Sequence, residues 1–566
     1  MVSGSLITRE YKNFRGVDFT KRQDEISLHR SPDALNVWKN YKNNNGLCIE
    51  TRPDIELESE YEDTIYGLFF YTHSGVKHKL VHSGKNLYDD NRLIFSDMAE
   101  RQSQSFIYNG TFYIKDGKNY LQYDGTTISE VVGYIPTTTM SKSPMGDGKT
   151  FQDANMLSGI RKNTFVADGE SRTYQVDAES FDSDYTVRTW VNDKENFNFT
   201  VDSSKGQVTF SVAPPKPDTD GQDNVVIQFK KSVANAKDKI FNCTLLQVFD
   251  NRVFFSGNPD YPNMLWHSSL DDPTYCSDTD YYTEGLDEYK VKALVSNNNN
   301  LWVMKEPNET KTTIFYHTPT TTEQGRTYPS AHSSISTGCV STGTNFNDDI
   351  VFFSERGLEA ITGDITTEQY LSHRSSLIDN RLLNELKYKE LMIDEYEGYL
   401  LVVVGNKIYL ADSRSTFTLN KHREYDWFYW EFAEDINCTQ VYEGVLYLCC
   451  GGKIYTLTKT EDLELDSYWT TYEDEFGYPQ YQKTTNKKGC VIDMAGGELQ
   501  VYAKIDNKDF ELIDEYKNTK GYVVARIKKK KWKSIQLKFS SNEHFSLYSS
   551  TLEGYVGSYV KRWERS

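Results

Sequence analysis

The stretch NCTLLQVFDNRVFFSG at residues 242–257 returns at residues 437–452 as NCTQVYEGVLYLCCGG, with a two-residue gap after the shared Asn-Cys-Thr. A repeat constrains a fold more tightly than any composition, because every copy of the unit must find the same kind of neighbour. The echo belongs to a wider set. An apolar or aromatic pair, a turn residue and a second apolar run recur in FIYNGTFYI (106–114), VFDNRVFF (248–255), LVSNNNNLWVM (294–304), FNDDIVFF (346–353), YEGYLLVVV (396–404) and VYEGVLYL (441–448). Each reads as a β-hairpin, two strands folded about a polar turn. A glycine-led phrase supplies a further turn and strand in GKNLY (84–88), GKNYL (117–121), GNKIY (405–409) and GGKIY (451–455).

With LFFYTHSGVKHKLV (68–81) as the first unit, about seven units fall between residues 60 and 460. Their spacing, on the order of 40 to 55 residues once one insertion is removed, matches four-stranded propeller blades. A small sheet cannot bury both faces by itself, and in a propeller it packs them against its neighbours. The expected fold is therefore all-β: a roughly seven-bladed β-propeller with an inserted small β-sandwich and a C-terminal antiparallel β domain. Residues 1–60 form a leader that closes or braces the propeller, which occupies 61–157 and 233–464.

The insertion is assigned to 158–232. There GQVTFSV (206–212) and NVVIQF (224–229) alternate apolar and polar positions about a Pro/Asp/Gly-rich turn, PPKPDTDGQD. One helix is predicted, SLIDNRLLNEL (376–386), with Ser376 and Asp379 at capping-box spacing. After about residue 465 the blade signature stops. ELQVYAKI (498–505), SIQLKF (534–539) and HFSLYS (544–549) alternate as antiparallel strands do, which places a separate β domain at 465–566.

The 40 Tyr and 29 Phe against only 14 Pro, with no long Ala/Leu-rich tract, lean the same way, toward strands. A formal charge of −19 argues against the chain as a whole gripping nucleic acid. The eight cysteines are scattered without CxxC pairs or flanking histidines, so reduced, mostly buried thiols are expected and a zinc site is not. The start, MVSGSLITREYKNF, lacks an apolar core for a secretion signal, and no apolar run long enough to span a bilayer occurs. The chain is expected to fold in a cytoplasm.

No catalytic signature emerges. The sialidase Asp-box is absent from every unit, HExxH and GxSxG do not occur, and SPMGDGKT (143–150) has Ser143 where a phosphate-binding loop needs its first glycine, so it reads as a polar surface loop. The acidic stretches ESEYEDT (58–64) and DDPTYCSDTDYYTEGLDEY (271–289) do not follow calcium-loop spacing. The expectation is a chain that is not an enzyme and has no cofactor, no metal and no catalytic residues; a glycosidase would need carboxylates converging on the centre of the propeller. The dense basic run RIKKKKWKS (526–534) places Arg526, Lys528, Lys529, Lys530, Lys531 and Lys533 around Trp532. It fits contact with an acidic partner subunit or with DNA phosphate, and equally a charged edge strand that deters stray pairing.

Several longer phrases are similar to a known family. RGVDFTKRQDEISLHRSPDALNVWKNYKNNNGLCIETRPDIEL (15–57), with SPDALN followed by ETRP, resembles the leader of tail-nozzle proteins of short-tailed bacteriophages, a group that includes packaged-DNA stabilisation proteins. Further matching phrases lie in order: DANMLSG (153–159), FVADGESRTYQV (165–176), NRVFFSGNPDYPNMLWHSS (251–269), NNNNLWVMKE (297–306) and DIVFFSERGLEAITG (349–363). The resemblance implies a structural virion protein assembled in the host cytoplasm: a homo-oligomer, commonly a hexamer, docked below the portal and adaptor proteins. Such a ring retains packaged double-stranded DNA, provides its ejection conduit without sequence-specific binding, and often anchors tail fibres. A receptor- or carbohydrate-binding tail protein is the alternative, because aromatic-rich propeller faces stack on sugar rings.

Overall fold

The computed structural model describes residues 5–42, 46–297, 299–323, 325–347, 349–362, 370–386, 391–419, 422–458, 464–506, 508–528 and 531–559. It is almost entirely β. Among the described residues there are six separate four-stranded sheets of hairpin meanders, and a seventh set of four strands heads a ten-stranded sheet. In chain order these are sheet I (65–96), II (104–130), III (245–283), IV (291–332), V (343–373), VI (391–431) and VII (438–458 with one strand from the leader).

The turns explain why these segments become hairpins. Asn109-Gly110, Asp250-Asn251, Glu397-Gly398 and Glu443-Gly444 each place two successive residues at positive φ. That backbone matches the right-handed twist of the flanking strands and closes a two-residue turn. The echo is thereby accounted for. Gln247 lies opposite Phe254 in sheet III, as Gln440 lies opposite Tyr447 in sheet VII. Each glutamine also donates from Nε2 to the next valine's carbonyl at 3.1 Å. The Asn-Cys-Thr words themselves are not equivalent: Cys243 precedes its strand, while Cys438 opens one.

The chain divides into two compact units, residues 69–340 and residues 1–68 with 341–566. In the 69–340 unit, successive sheets share apolar layers. Tyr71, Leu80 and Leu87 of sheet I pack on Phe112, Ile114 and Leu121 of sheet II. Phe106, Tyr113 and Tyr120 meet Val253, Phe255 and Trp266 of sheet III. Phe249, Phe254 and Leu265 meet Leu301, Val303 and Phe315 of sheet IV. Each buried aromatic or leucine contributes about 2 kcal/mol, so no single sheet could persist alone.

The inserted sandwich also belongs to this unit. Its core joins Phe165, Tyr174, Val208, Phe210, Val225, Ile227 and Phe229, whereas Val212, which the GQVTFSV alternation places on the face of Val208 and Phe210, is exposed. Its larger sheet, however, also contains Thr137–Lys142 and Lys149–Thr150, so the insertion begins before residue 158. Those short polar strands carry no apolar alternation to announce them. The 143–148 turn between them lies at the surface.

The other unit is stitched together by the leader. Its strands are β1 (Leu6–Tyr11), β2 (Ala34–Leu35), β3 (Val37–Lys39), β4 (Ile49–Thr51) and β5 (Asp54–Glu60). Sheet VI runs on through β3 and β4 into Phe545–Tyr559, Tyr481–Gly497 and Gly521–Ala525, with β1 pairing Phe545–Tyr559. β2 joins a five-stranded sheet with Ser467–Thr470, Ile535–Ser541, Leu499–Ile505 and Glu511–Tyr516. The 465–566 strands are thus not a separate domain: three of them continue the hydrogen-bonded sheet of sheet VI through the leader, and the other four pair in the sheet that β2 joins. β5 pairs antiparallel with Lys453–Thr458 as the fourth strand of sheet VII. The intervening chain is thereby fastened at both ends to one sheet.

Gly16 marks the tightest crossing, at φ +77 beside the backbone of Trp427; a Cβ there would lie 2.0 Å from the Trp427 carbonyl oxygen. Gly75, in an open turn at φ +81, has nothing within 4 Å. Gly16→Ala is expected to lower the unfolding free energy by on the order of 3 kcal/mol and Gly75→Ala by about 1 kcal/mol. Denaturant titration followed by tryptophan fluorescence measures both.

Candidate functional site

The basic run 526–533 is the connection between the Gly521–Ala525 and Ile535–Ser541 strands. Arg526, Lys528 and Lys531 are exposed, Lys533 is half-buried, and Lys529 and Lys530 lie outside the described residues. Trp532 does not join the surface. It is buried, its Nε1 donates to Thr485 Oγ1 at 2.9 Å, and its ring meets Phe476 edge-on at 5.0 Å. Beneath the loop, Lys483 donates from Nζ to the carbonyls of Tyr478 and Lys533, both at 2.6 Å. Burial pushes that ammonium down to about 8. The loop is therefore pinned from inside, presents its cations outward, and has no aromatic face free to stack on a base. The edge strand beside it is Gly521–Ala525, which carries no charge of its own.

The leader is held to the same unit by two buried carboxylates. Asp426 accepts from Arg15 Nε at 3.2 Å and from Arg30 Nη2 at 2.6 Å, and its own side chain is fully buried. Asp474, 1% exposed, accepts from Arg9 Nε at 3.0 Å and from the Tyr11 hydroxyl at 3.2 Å. A buried carboxylate without its cation is costly, so these pairs select one placement of the leader. Asn36 and Arg52, from the SPDALN and ETRP phrases, are also buried, and Arg52 Nε donates to Asn36 Oδ1 at 3.0 Å.

A second polar cluster, which the sequence reading did not single out, lies beside the Asp379–Leu386 helix. His373 contacts Glu359 Oε1 through Nδ1 at 3.2 Å and Asp379 Oδ2 through Nε2 at 2.7 Å. The capping box expected from Ser376 and Asp379 does not form, because Ser376 donates to Glu424 and Asp379 accepts from Ser375 and His373. Burial works against the His373 imidazolium, but the hydrogen bonds to Asp379 and Glu359 outweigh it and lift the group to about 10. The signal in the sequence, SHRSS before the helix, is legible only once the strand at Gly357–Thr362 is known to lie alongside.

In the 69–340 unit a cavity of about 390 Å³ sits at the neck of the sandwich, where the chain enters and leaves the insertion. Its wall contains Met156, Leu157, Lys231, Val233, Lys237 and Asp278. Gly159, at φ +66, accepts from Lys231 N at 2.9 Å and pins the two neck strands together. Burial lifts the Asp280 carboxyl to about 6. Glu284 and His317 face each other at 2.9 Å, both fully buried, and are closed to solvent. No group of three or more His, Cys, Asp or Glu among the described residues could hold a metal. No helix among them is long and apolar enough to cross a membrane.

No family model matches this chain, and no curated protein does. Solved structures similar to it include BamB from Moraxella catarrhalis, at 10% identity over 72% of this chain and 97% of that one, with a TM-score of 0.34. YCF48 bound to D1 peptide is similar at 8% identity over 73% and 98%, with a TM-score of 0.33. Exo-β-1,3-galactanase from Phanerochaete chrysosporium is similar at 8% over 81% and 98%, with a TM-score of 0.18. The expectation that the chain is not an enzyme is corrected by these comparisons, which also include another glycoside hydrolase and a sialidase. At such low TM-scores no reaction or substrate is carried over from them.

The His373 cluster makes a pH prediction. His373 is raised from 6.5 to about 10 in the fold, so its stabilisation is complete below pH 6.5 and is lost as pH climbs toward 10. Glu359 is lowered despite burial, by its bonds to His373 and Arg356, so its contribution is present above its ordinary 4.5 and lost as pH falls. Unfolding free energy is expected to decline by on the order of 1 kcal/mol per pH unit between about 7 and 9. His373→Asn should flatten that alkaline limb in thermal melts recorded across pH.

Proposed function

We propose that this chain is a structural protein of a short-tailed phage virion, the subunit of a ring-shaped tail nozzle that sits below the portal and adaptor and through which packaged DNA is retained and then ejected. The observation that carries the reading is the leader. The segment 15–57 that bears the most extended family phrase supplies strands to sheet VI, and β5, which its end enters, supplies one to sheet VII. Two of its arginines, Arg15 and Arg30, pair with the buried Asp426. A leader used in this way resists being peeled off, which is what a conduit under pressure from packaged DNA requires of its subunits.

The charge balance agrees. An acidic wall does not clamp phosphate, so a polyanion passes without the counterion release that would hold it. Exposed cations of the 526–533 loop then serve contacts between proteins. On this reading the chain assembles as a homo-oligomer, commonly six-membered, in the cytoplasm of the host, meets portal, adaptor and fibre proteins, and ends in the virion tail.

Negative-stain microscopy of the purified protein, alone and mixed with its head-tail neighbours, is expected to give rings with an axial hole that cap portal–adaptor complexes. Particles that stay monomeric with those partners would overturn the proposal, and binding to host cells by monomers would favour a receptor-binding role.

A further inference from the structure

Among the strands that end their sheets in the 1–68/341–566 unit are β5, at the edge of sheet VII, and Gly521–Ala525, at the edge of the ten-stranded sheet. Free edges are templates for pairing, and natural proteins block the ones they do not use. These two carry opposite chemistry. β5 reads DIELESE and is bulged at Glu58, so Asp54 and Glu56 share one face while Ile55, Leu57 and Glu60 lie on the other, with Leu57 49% exposed. The second edge reads GYVVA, with Tyr522 78% and Val524 39% exposed, and is flanked by the exposed cations Lys520 and Arg526. Lys528 and Lys531 follow in the same loop.

We propose that these edges are the two halves of one interface between copies of this chain: the 521–525 strand of one copy adds antiparallel to β5 of the next. Self-pairing of β5 is opposed by its own row of carboxylates, and self-pairing of the 521–525 edge by its flanking cations. Only the mixed pair is favourable. It also has a natural register. With Val523 opposite Leu57, Lys520 faces Glu60 and Arg526 faces Asp54, so both ends of the ladder close on opposite charges. Main-chain hydrogen bonds along the ladder supply affinity, and the charged ends fix direction and offset. Because the two halves are different surfaces, the contact is heterologous and propagates head to tail, which yields a ring where the rotation closes. The inference rests on the oligomeric part of the proposed function and names the surfaces that would build it.

Mass photometry and cross-linking test it on the full chain. The triple reversal Glu56→Lys, Glu58→Lys, Glu60→Lys should weaken self-association at least tenfold. So should Arg526→Glu, Lys528→Glu, Lys531→Glu. An equimolar mixture of the two variants should recover assembly as mixed oligomers, since the two reversed edges are complementary to each other and so are the two unchanged ones. Leu57→Cys combined with Val523→Cys should give an intermolecular disulfide only when the copies are assembled, which also covers a reversal variant that fails to fold. A wild-type chain that forms rings while neither reversal changes its mass and the cysteines stay unlinked would overturn this interface and leave the nozzle reading intact. A wild-type chain that never oligomerises, even with its head-tail partners, would overturn both.

Discussion

A sheet of four short strands has two faces to cover and only its neighbours to cover them with. Everything else in this chain follows from that shortage of covering surface. In the 69–340 unit the shortage is met by stacking, with aromatic and branched residues such as Tyr120, Phe254 and Leu301 forming layers between consecutive sheets. In the other unit, Phe346 of sheet V meets Tyr425 of sheet VI edge-on at 5.9 Å, and buried Arg374 lies over the same tyrosine ring at 5.5 Å. Arg374 also pairs with Asp349 at 2.8 Å and accepts, through its carbonyl, from Trp427 Nε1 at 3.0 Å. Polar groups at such seams narrow the set of acceptable packings more sharply than apolar ones, because each must find a specific partner when buried.

The leader takes that logic furthest. It spends five strands on a body whose other strands lie hundreds of residues later, and holds them with ion pairs such as Arg9–Asp474. Loop-closure entropy grows only slowly with separation, so a contact across most of the chain costs little more than one across half of it. The pairs themselves contribute more to uniqueness than to net stability, since two charges taken out of water recover little beyond their desolvation. A leader displaced by one register step would strand Asp426 and Asp474 without cations.

How much of this was legible in the sequence depended on the range of the interaction. Hairpins were, because Asn-Gly, Asp-Asn and Glu-Gly fix the turn within two residues and the flanking alternation fixes the faces. Sheet membership across long separations was not: nothing in DIELESE says that its partner is Lys453–Thr458, and nothing in Thr137–Lys142 says that it lies parallel to Ile160–Phe165. The 465–566 strands read as a separate domain because their link to sheet VI runs through β3 and β4, two three-residue strands too short to carry a periodic signal. Of the basic run, the charge was legible and the burial of Trp532 was not, since tryptophan among lysines carries the same letters whether it anchors a loop or presents a stacking face. The His373 cluster escaped for the opposite reason: Ser376 and Asp379 had an obvious local use as a helix cap, and tertiary partners claimed them instead.

Edges and faces make different demands on a sequence, and β5 carries both at once. One side of the strand must accept the hydrogen bonds of Lys453–Thr458, and its acidic residues permit that because they point away from the sheet plane, not along it. The other side is left open, and the same acidic row is what keeps it from pairing indiscriminately. A proline-broken edge would have protected the strand as well, but would have excluded every partner equally. Carboxylates exclude selectively: they repel their own kind and admit a strand flanked by cations. The composition of β5 is therefore better matched to a strand that waits for a particular neighbour than to one that must stay single, and the apolar Leu57 exposed within it would otherwise be a liability with no return.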